Sequence, residues 1–275
     1  MDVCVLVMEG TNNEEETSHS LAAVGLRPQT VCVGELIARP SMLRNYRGLV
    51  IPGGFSAGDY VRGGAIFAAY LRTILLELEE FIAADRPVLG ICNGFQVLVE
   101  LGLLPEVKTG DTRTCGPKVA LTRNESARFE CRPVRLRCEN ENLFTRGLGA
   151  GRIAEFPSAH AEGRLITSQA IWEGMVKTNQ IAFRYVGPNS GPAGYPYNPN
   201  GSFDNIAGLV NRAGNVLGMM PHPERAFHWY QKTGWTRNKD AREHGPGRAI
   251  FAGMAEHIKD QATRSLKDGA DHEEG

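Results

Sequence analysis

The stretch Pro87-Val-Leu-Gly-Ile-Cys-Asn-Gly-Phe-Gln96 sets one cysteine at the join of a strand and a helix. Val88 to Ile91, with Gly90 among them, is a short apolar run that reads as a strand buried on both faces. From Asn93 the period changes. Phe95, Val97, Leu98, Leu101 and Leu104 recur at helical spacing, and Gly102 is a stop signal. A nucleophile at such a corner needs small neighbours, because its backbone is strained and its side chain must project. Gly90 and Gly94 flank Cys92 two residues to either side, which is the logic of the G-x-S-x-G elbow with sulfur in place of oxygen. Helix amides after the cysteine favour a thiolate and offer donors to an oxyanion. On this segment alone, an inert buried thiol is an equally good reading.

Outward from the corner, Val3–Met8 reads as a strand, followed by a polar turn over Glu9–Asn13 and a helix over Glu14–Val24 closed by Gly25. Gln29–Val33 and Gly48–Pro52 are further strands. Gly64–Ala84 is a helix with an apolar stripe of Ile66, Tyr70, Ile74, Leu78 and Phe81. This alternation predicts an α/β fold with a mostly parallel central sheet flanked by helices on both faces. Ligands of such sheets gather at the carboxyl ends of the strands, where Gly53-Gly54 and Cys92 both fall.

The second half reads differently. Segments near 131–138, 153–156, 164–167, 181–186, 206–211 and 216–220 are short and β-like, and predict antiparallel strands extending the sheet or packing beside it. Gly187–Gly201, rich in Gly, Pro and Asn, is a long loop of the kind that is functional or disordered. A last helix spans Ala249–Leu266. The expectation is one domain over 1–266 with a polar tail over 267–275.

Bulk properties exclude several classes. With a net charge of −1 no overall field argues for nucleic acid or an anionic membrane. No apolar run approaches the roughly 20 residues that span a bilayer, and the N-terminus reads as a strand, not a signal peptide. The six cysteines form no C-x-x-C pair, so neither a zinc site nor a disulfide framework is expected. Cys4 and Cys32, inside apolar strand patterns, are expected as packed thiols. Together these features point to a reducing, cytoplasmic setting. No set of His, Cys, Asp and Glu has metal-binding spacing, and His19, His228, His244, His257 and His272 read as surface residues.

Three other segments carry chemistry. In Val216-Leu-Gly-Met-Met-Pro-His-Pro-Glu-Arg225 an apolar strand ends in His222 and Glu224. Pro223 between them restricts the backbone on both sides. A thiol nucleophile needs a base that later protonates the departing amine, and a carboxylate that steadies the imidazole, so Cys92, His222 and Glu224 form a triad in role. Read alone, the segment is a surface His-Pro-Glu turn. In Ile51-Pro-Gly-Gly-Phe-Ser-Ala-Gly-Asp-Tyr-Val-Arg-Gly-Gly64, the amides of Gly53 and Gly54 could complete an oxyanion hole with that of Asn93; the plain alternative is a turn. Asp59 and Arg62 read as a solvated pair or a contact to a partner, with the solvated pair preferred. In Pro157-Ser-Ala-His-Ala-Glu-Gly163, His160 and Glu162 repeat the His-x-Glu spacing and compete for the triad, with His222 preferred because it ends an apolar strand.

Taken together, these segments resemble the class I glutamine amidotransferases, and most specifically the glutaminase subunits of phosphoribosylformylglycinamidine synthases of purine biosynthesis. The carrying residues are Ile51–Tyr60, Gly90–Leu98 with Glu100–Pro105, and Gly218–Arg225, with weaker echoes at Gly10–Asn12, Ala159–Gly163 and Asn205–Gly208. In place of a common His-Gly-Glu-Gly the chain has His160-Ala-Glu-Gly163. The resemblance implies a flavodoxin-like class I glutamine amidotransferase fold and a Cys92 glutamyl thioester. It implies His222 as acid and base, Glu224 as its orienter, and the amides of Gly54 and Asn93 as oxyanion donors. Glutamine would be held by Gln96 and by backbone near Gly53, Phe55 and His160. It further implies L-glutamine as substrate, a synthetase subunit that receives ammonia, and a small accessory subunit. No cofactor is expected in this chain; ATP and magnesium belong to the synthetase. Two other readings are a stand-alone cysteine hydrolase of this architecture and a non-catalytic subunit kept for assembly.

Overall fold

The computed structural model describes residues 1–107, 117–237 and 244–271, with side chains described as far as 264 in the last stretch; Cys115 and His272 lie outside the described residues. β1 (Asp2–Val7), α1 (Glu14–Ala23), β2 (Arg27–Cys32), β3 (Gly48–Ile51), β4 (Val88–Ile91) and α5 (Asn93–Glu100) follow the alternation that the apolar pattern predicts. Between them lie α2 (Val33–Ala38), α3 (Ala65–Leu71) and α4 (Leu75–Ala83). After α5 come β5 (Ala120–Arg123), β6 (Glu130–Cys138), β7 (Ile153–His160), β8 (Glu162–Ile166), α6 (Gln169–Lys177), β9 (Ile181–Tyr185), β10 (Ile206–Val210), β11 (Val216–Met219) and α7 (Gly247–Asp271).

Nine strands form one sheet in the order β2-β1-β3-β4-β11-β10-β9-β6-β7, and β5 pairs with β8 in a separate ribbon. Pairing from β2 through β4 to β11 is parallel, and from β11 to β7 antiparallel. Val88–Ile91 and Val216–Met219 run side by side in register, so Cys92 and the segment leading to His222 leave the same end of neighbouring strands. All residues of β3, β4 and β11 are buried, as expected for strands covered on both faces.

Several expectations are corrected. The helix over Gly64–Ala84 is broken by a 3₁₀ turn at Arg72–Ile74. The buried stripe crosses the break in phase as Phe67, Leu71, Ile74, Leu78 and Phe81; Ile66 and Tyr70 lie one position off it, and Tyr70 is half-exposed. Cys32 is exposed, because β2 is an edge strand in which Val31 alone is buried. Cys4 is buried, with its thiol pushed up to about 12 by burial and then by Glu35. α7 runs on to Asp271, past the expected end at Leu266. Gly187–Gly201 holds no helix or strand, but it is not loose: Asn198 and Asn200 within it are buried. Among the described residues no helix is long and apolar enough to cross a membrane.

Candidate active site

The elbow is built by close packing on both sides of Cys92. A Cβ at Gly94 would stand 1.9 Å from the Ile51 carbonyl oxygen, and one at Gly90 would stand 2.6 Å from that of Gly94. Only glycine lets α5 seat this close to β3 and β4. Cys92 itself takes φ 50°, ψ −102°, a strained conformation for a residue with a side chain. Its amide donates to the Met219 carbonyl at 2.8 Å, which ties the corner to the end of β11. The thiol is turned toward the carbonyl of Ala159 at 3.7 Å.

His222 and Glu224 meet at the end of β11. His222 Nδ1 lies 2.6 Å from Glu224 Oε1, and both residues are buried. The backbone N–H of His222 donates to the Pro157 carbonyl at 2.8 Å, and Gly53 packs under the ring: a Cβ there would lie 2.8 Å from Cε1. Burial alone would depress this imidazole. The charges of Glu224 and then Cys92 overcome it and raise the ring to about 10. The thiol faces the Ala159 carbonyl two residues along the same strand from the Pro157 carbonyl that holds His222, and His222 Nε2 is buried without a hydrogen-bond partner. With the thiol turned from Ala159 to Nε2, the three residues would form the Cys-His-Glu relay expected from the sequence.

The oxyanion candidates flank this relay. The bridge between Thr11 and Gly54 is made by Phe55 N to Gly10 O (2.8 Å) and Asn12 N to Gly53 O (3.4 Å), so the N–H of Gly54 takes no part in it. Gly54 has φ 155°, and a Cβ there would come within 2.7 Å of the Gly10 carbonyl. Asn93 opens α5, so its N–H is one of the amides that a helix start leaves without an internal acceptor. The Asn93 side chain accepts from Ser56 N (3.4 Å) and donates to Asp59 (3.3 Å) and Gln96 (2.9 Å).

The expected glutamine contacts are placed as follows. Gln96 donates to the Glu162 carbonyl at 2.6 Å besides accepting from Asn93, so it braces the β7–β8 turn against α5. Phe55 is half-exposed, and its ring lies 6.2 Å from that of Phe129. The His160 ring is buried and engaged on both nitrogens, with Ser158 Oγ at 2.9 Å and Asn124 Oδ1 at 3.1 Å. Burial, then the nearby His222, lowers it to about 3. Glu162, its rival partner, accepts instead from the Gly63 amide at 2.8 Å. The solvated Asp59–Arg62 pair is not formed: Arg62 makes two 2.6 Å bonds to Glu100. Asp59 stays beside Asn93, with its carboxyl raised to about 6 by burial and then Glu162.

Residues given no role in the sequence reading also matter. Arg225 donates to Asn13 Oδ1 at 2.5 Å, joining the β1–α1 turn to the His222 segment. Asn124, Ser158 and Asn200 surround His160. The Ser158–His160 pair, two apart on a strand, was a usable signal; the two asparagines gave none.

Residues 1–258 match the family model described as a CobB/CobQ-like glutamine amidotransferase domain. The chain is 48% identical to "Phosphoribosylformylglycinamidine synthase subunit PurQ" of Picrophilus torridus, over 90% of this chain and 94% of the relative. It is 43% identical to the protein of the same description from Archaeoglobus fulgidus, over 94% and 97% of the two chains. A chain in the structure described as PurLQS from Thermotoga maritima superposes with a TM-score of 0.70 and 31% identity, covering 94% of this chain and 98% of that one. The chain belongs to the CobB/CobQ-like glutamine amidotransferase family.

Proposed function

We propose that this chain is the glutaminase subunit of a phosphoribosylformylglycinamidine synthase. One observation carries the reading: Cys92, His222 and Glu224 converge in a single buried site in a chain that matches relatives of that description over nearly their whole length. The Cys92 sulfur attacks the side-chain carbonyl carbon of L-glutamine, and its proton passes through His222 Nε2 to the departing nitrogen. The carbon–nitrogen bond breaks, ammonia leaves, and a glutamyl thioester remains on Cys92. The amides of Gly54 and Asn93 hold the negative oxygen of both tetrahedral intermediates. Water, deprotonated by His222, then cleaves the thioester, releasing glutamate and restoring the thiol. Glu224 keeps the imidazole in its Nδ1–H form and steadies its charge.

Ammonia passes to a synthetase subunit that makes formylglycinamidine ribonucleotide. ATP and magnesium belong to that subunit, and a small third subunit completes the assembly. The PurLQS description of the Thermotoga maritima relative supports this composition. The test mixes the chain with a synthetase, ATP and formylglycinamide ribonucleotide, and compares glutamine with ammonia as nitrogen donor. Glutamine-driven synthesis that requires this chain is expected. Glutamine use unchanged when the chain is omitted contradicts the reading.

A further inference from the structure

The end of β7 frames the site although β7 is the outermost strand of the sheet, far from β4 in strand order. Pro157 O accepts from the His222 amide at 2.8 Å, and Ala159 O faces the Cys92 thiol at 3.7 Å. Residues two apart in a strand send their carbonyls to the same edge, so one strand edge meets both reacting groups. Just beyond, Glu162 O accepts from Gln96 at 2.6 Å. The relative placement of thiol and imidazole therefore depends on where this strand end is held.

The opposite side of the strand end is held by a closed polar cluster. Asn124 Nδ2 donates to the His160 carbonyl (2.8 Å) and the Arg128 carbonyl (2.9 Å), which leaves Oδ1 to accept from His160 Nδ1 (3.1 Å) and Gly163 N (3.2 Å). This fixes the ring as its Nδ1–H form, so Nε2 accepts from Ser158 Oγ at 2.9 Å. Asn200, at the end of the Gly187–Gly201 loop, donates to Gly163 O (2.8 Å) and Tyr185 Oη (3.2 Å), with Nε2 of His160 at 3.5 Å. Asn124, Ser158, His160 and Asn200 are all buried.

We propose that Asn124, Ser158 and Asn200, closing on the His160 ring, are positioning residues that hold the end of β7 where its carbonyls meet His222 and Cys92. The proposal rests on the glutaminase reading above. It gives the Gly187–Gly201 loop a purpose, since Asn200 is the loop's contribution to the clamp. A charged ring would turn Nε2 from acceptor to donor and reverse the Ser158 bond; burial and the neighbouring His222 keep it neutral.

The experiment measures glutaminase kinetics of the assembled enzyme carrying Ser158→Ala, Asn124→Ala or Asn200→Ala, and the Ser158→Ala/Asn124→Ala double variant. A displaced strand end lowers kcat by about 10–100-fold with KM for glutamine within about threefold. In a connected cluster the double variant loses little more than the worse single one. Ser158→Ala removes one oxygen and is the variant on which the test stands if Asn124→Ala does not fold. A kcat within about twofold of the parent in folded Ser158→Ala, or a raised KM with kcat retained, overturns the proposal. Multiplying losses in the double variant overturn it as well. Cys92→Ala, run alongside, separates the two failures. Glutamine-driven synthesis surviving in Cys92→Ala overturns the glutaminase reading and the clamp with it. Its loss there, with full rates in Ser158→Ala, overturns the clamp alone.

Discussion

His222 Nδ1 and Glu224 Oε1 are 2.6 Å apart inside the protein, one proline between them in sequence and both residues buried. That contact fixes which ring nitrogen faces the substrate side. Glu224→Gln keeps the size but removes the charge and allows the amide to donate, which favours the wrong tautomer. Acylation of Cys92 by glutamine is expected to slow by about 10²–10⁴-fold with the melting temperature little changed. The acylation rate is read by rapid quench; a rate equal to the parent's contradicts the role of Glu224.

The close approaches at the elbow give a second expectation. In Gly94→Ala the new methyl group would meet a backbone oxygen at 1.9 Å, and α5 must move off β3. Overpacking of this kind costs about 1–3 kcal/mol, measurable as a lower urea midpoint. Gly53→Ala meets the His222 ring and the Asn13 amide instead, each at 2.8 Å. It is expected to damage activity more than stability. Full activity in Gly53→Ala would mean that the ring position is not critical.

His160 makes stability depend on pH. Its ring is held at about 3 against an ordinary 6.5, so below 6.5 the unfolded chain takes up a proton that the folded one refuses. The neutral ring's contribution is complete above 6.5 and is lost as pH falls toward 3, with a slope of up to about 1.4 kcal/mol per pH unit. Denaturant midpoints across that range are expected to fall less steeply in His160→Gln than in the parent. Identical slopes would show that the ring is not buried neutral.

Access gives a fourth expectation. Cys92 is 6% exposed and His222 2%, so the reacting pair is closed off in this state. The isolated chain is expected to hydrolyse glutamine slowly and to speed up on addition of the synthetase, ATP and acceptor. Equal rates with and without them contradict a closed resting site.

How much of this could be read from the sequence depends on how local the cause is. The elbow was legible because its reason lies within five residues: Gly90 and Gly94 are small where α5 presses on the strands. His222 and Glu224 were legible because one proline separates them at the end of an apolar run. The buried stripe before Arg72 was not, because Ile66 and Tyr70 carry the same spacing as the truly buried Phe67 and Leu71. Nor was β5, a four-residue strand whose partner β8 lies far along the chain. The cluster around His160 draws Asn124 and Asn200 from separate loops, and a polar residue in a loop carries no period that announces burial. Asp59 and Arg62 looked like a pair because they are neighbours, whereas the fold brings Glu100 to the arginine and Asn93 to the aspartate.

The central claim is that Cys92 releases ammonia from glutamine for use on another subunit. The most direct measurement follows amide-¹⁵N from glutamine into formylglycinamidine ribonucleotide in the assembled enzyme carrying Cys92→Ala. No label from glutamine is expected, while free ammonia supports synthesis at the parent rate. Label still arriving from glutamine in the Cys92→Ala enzyme would contradict the account.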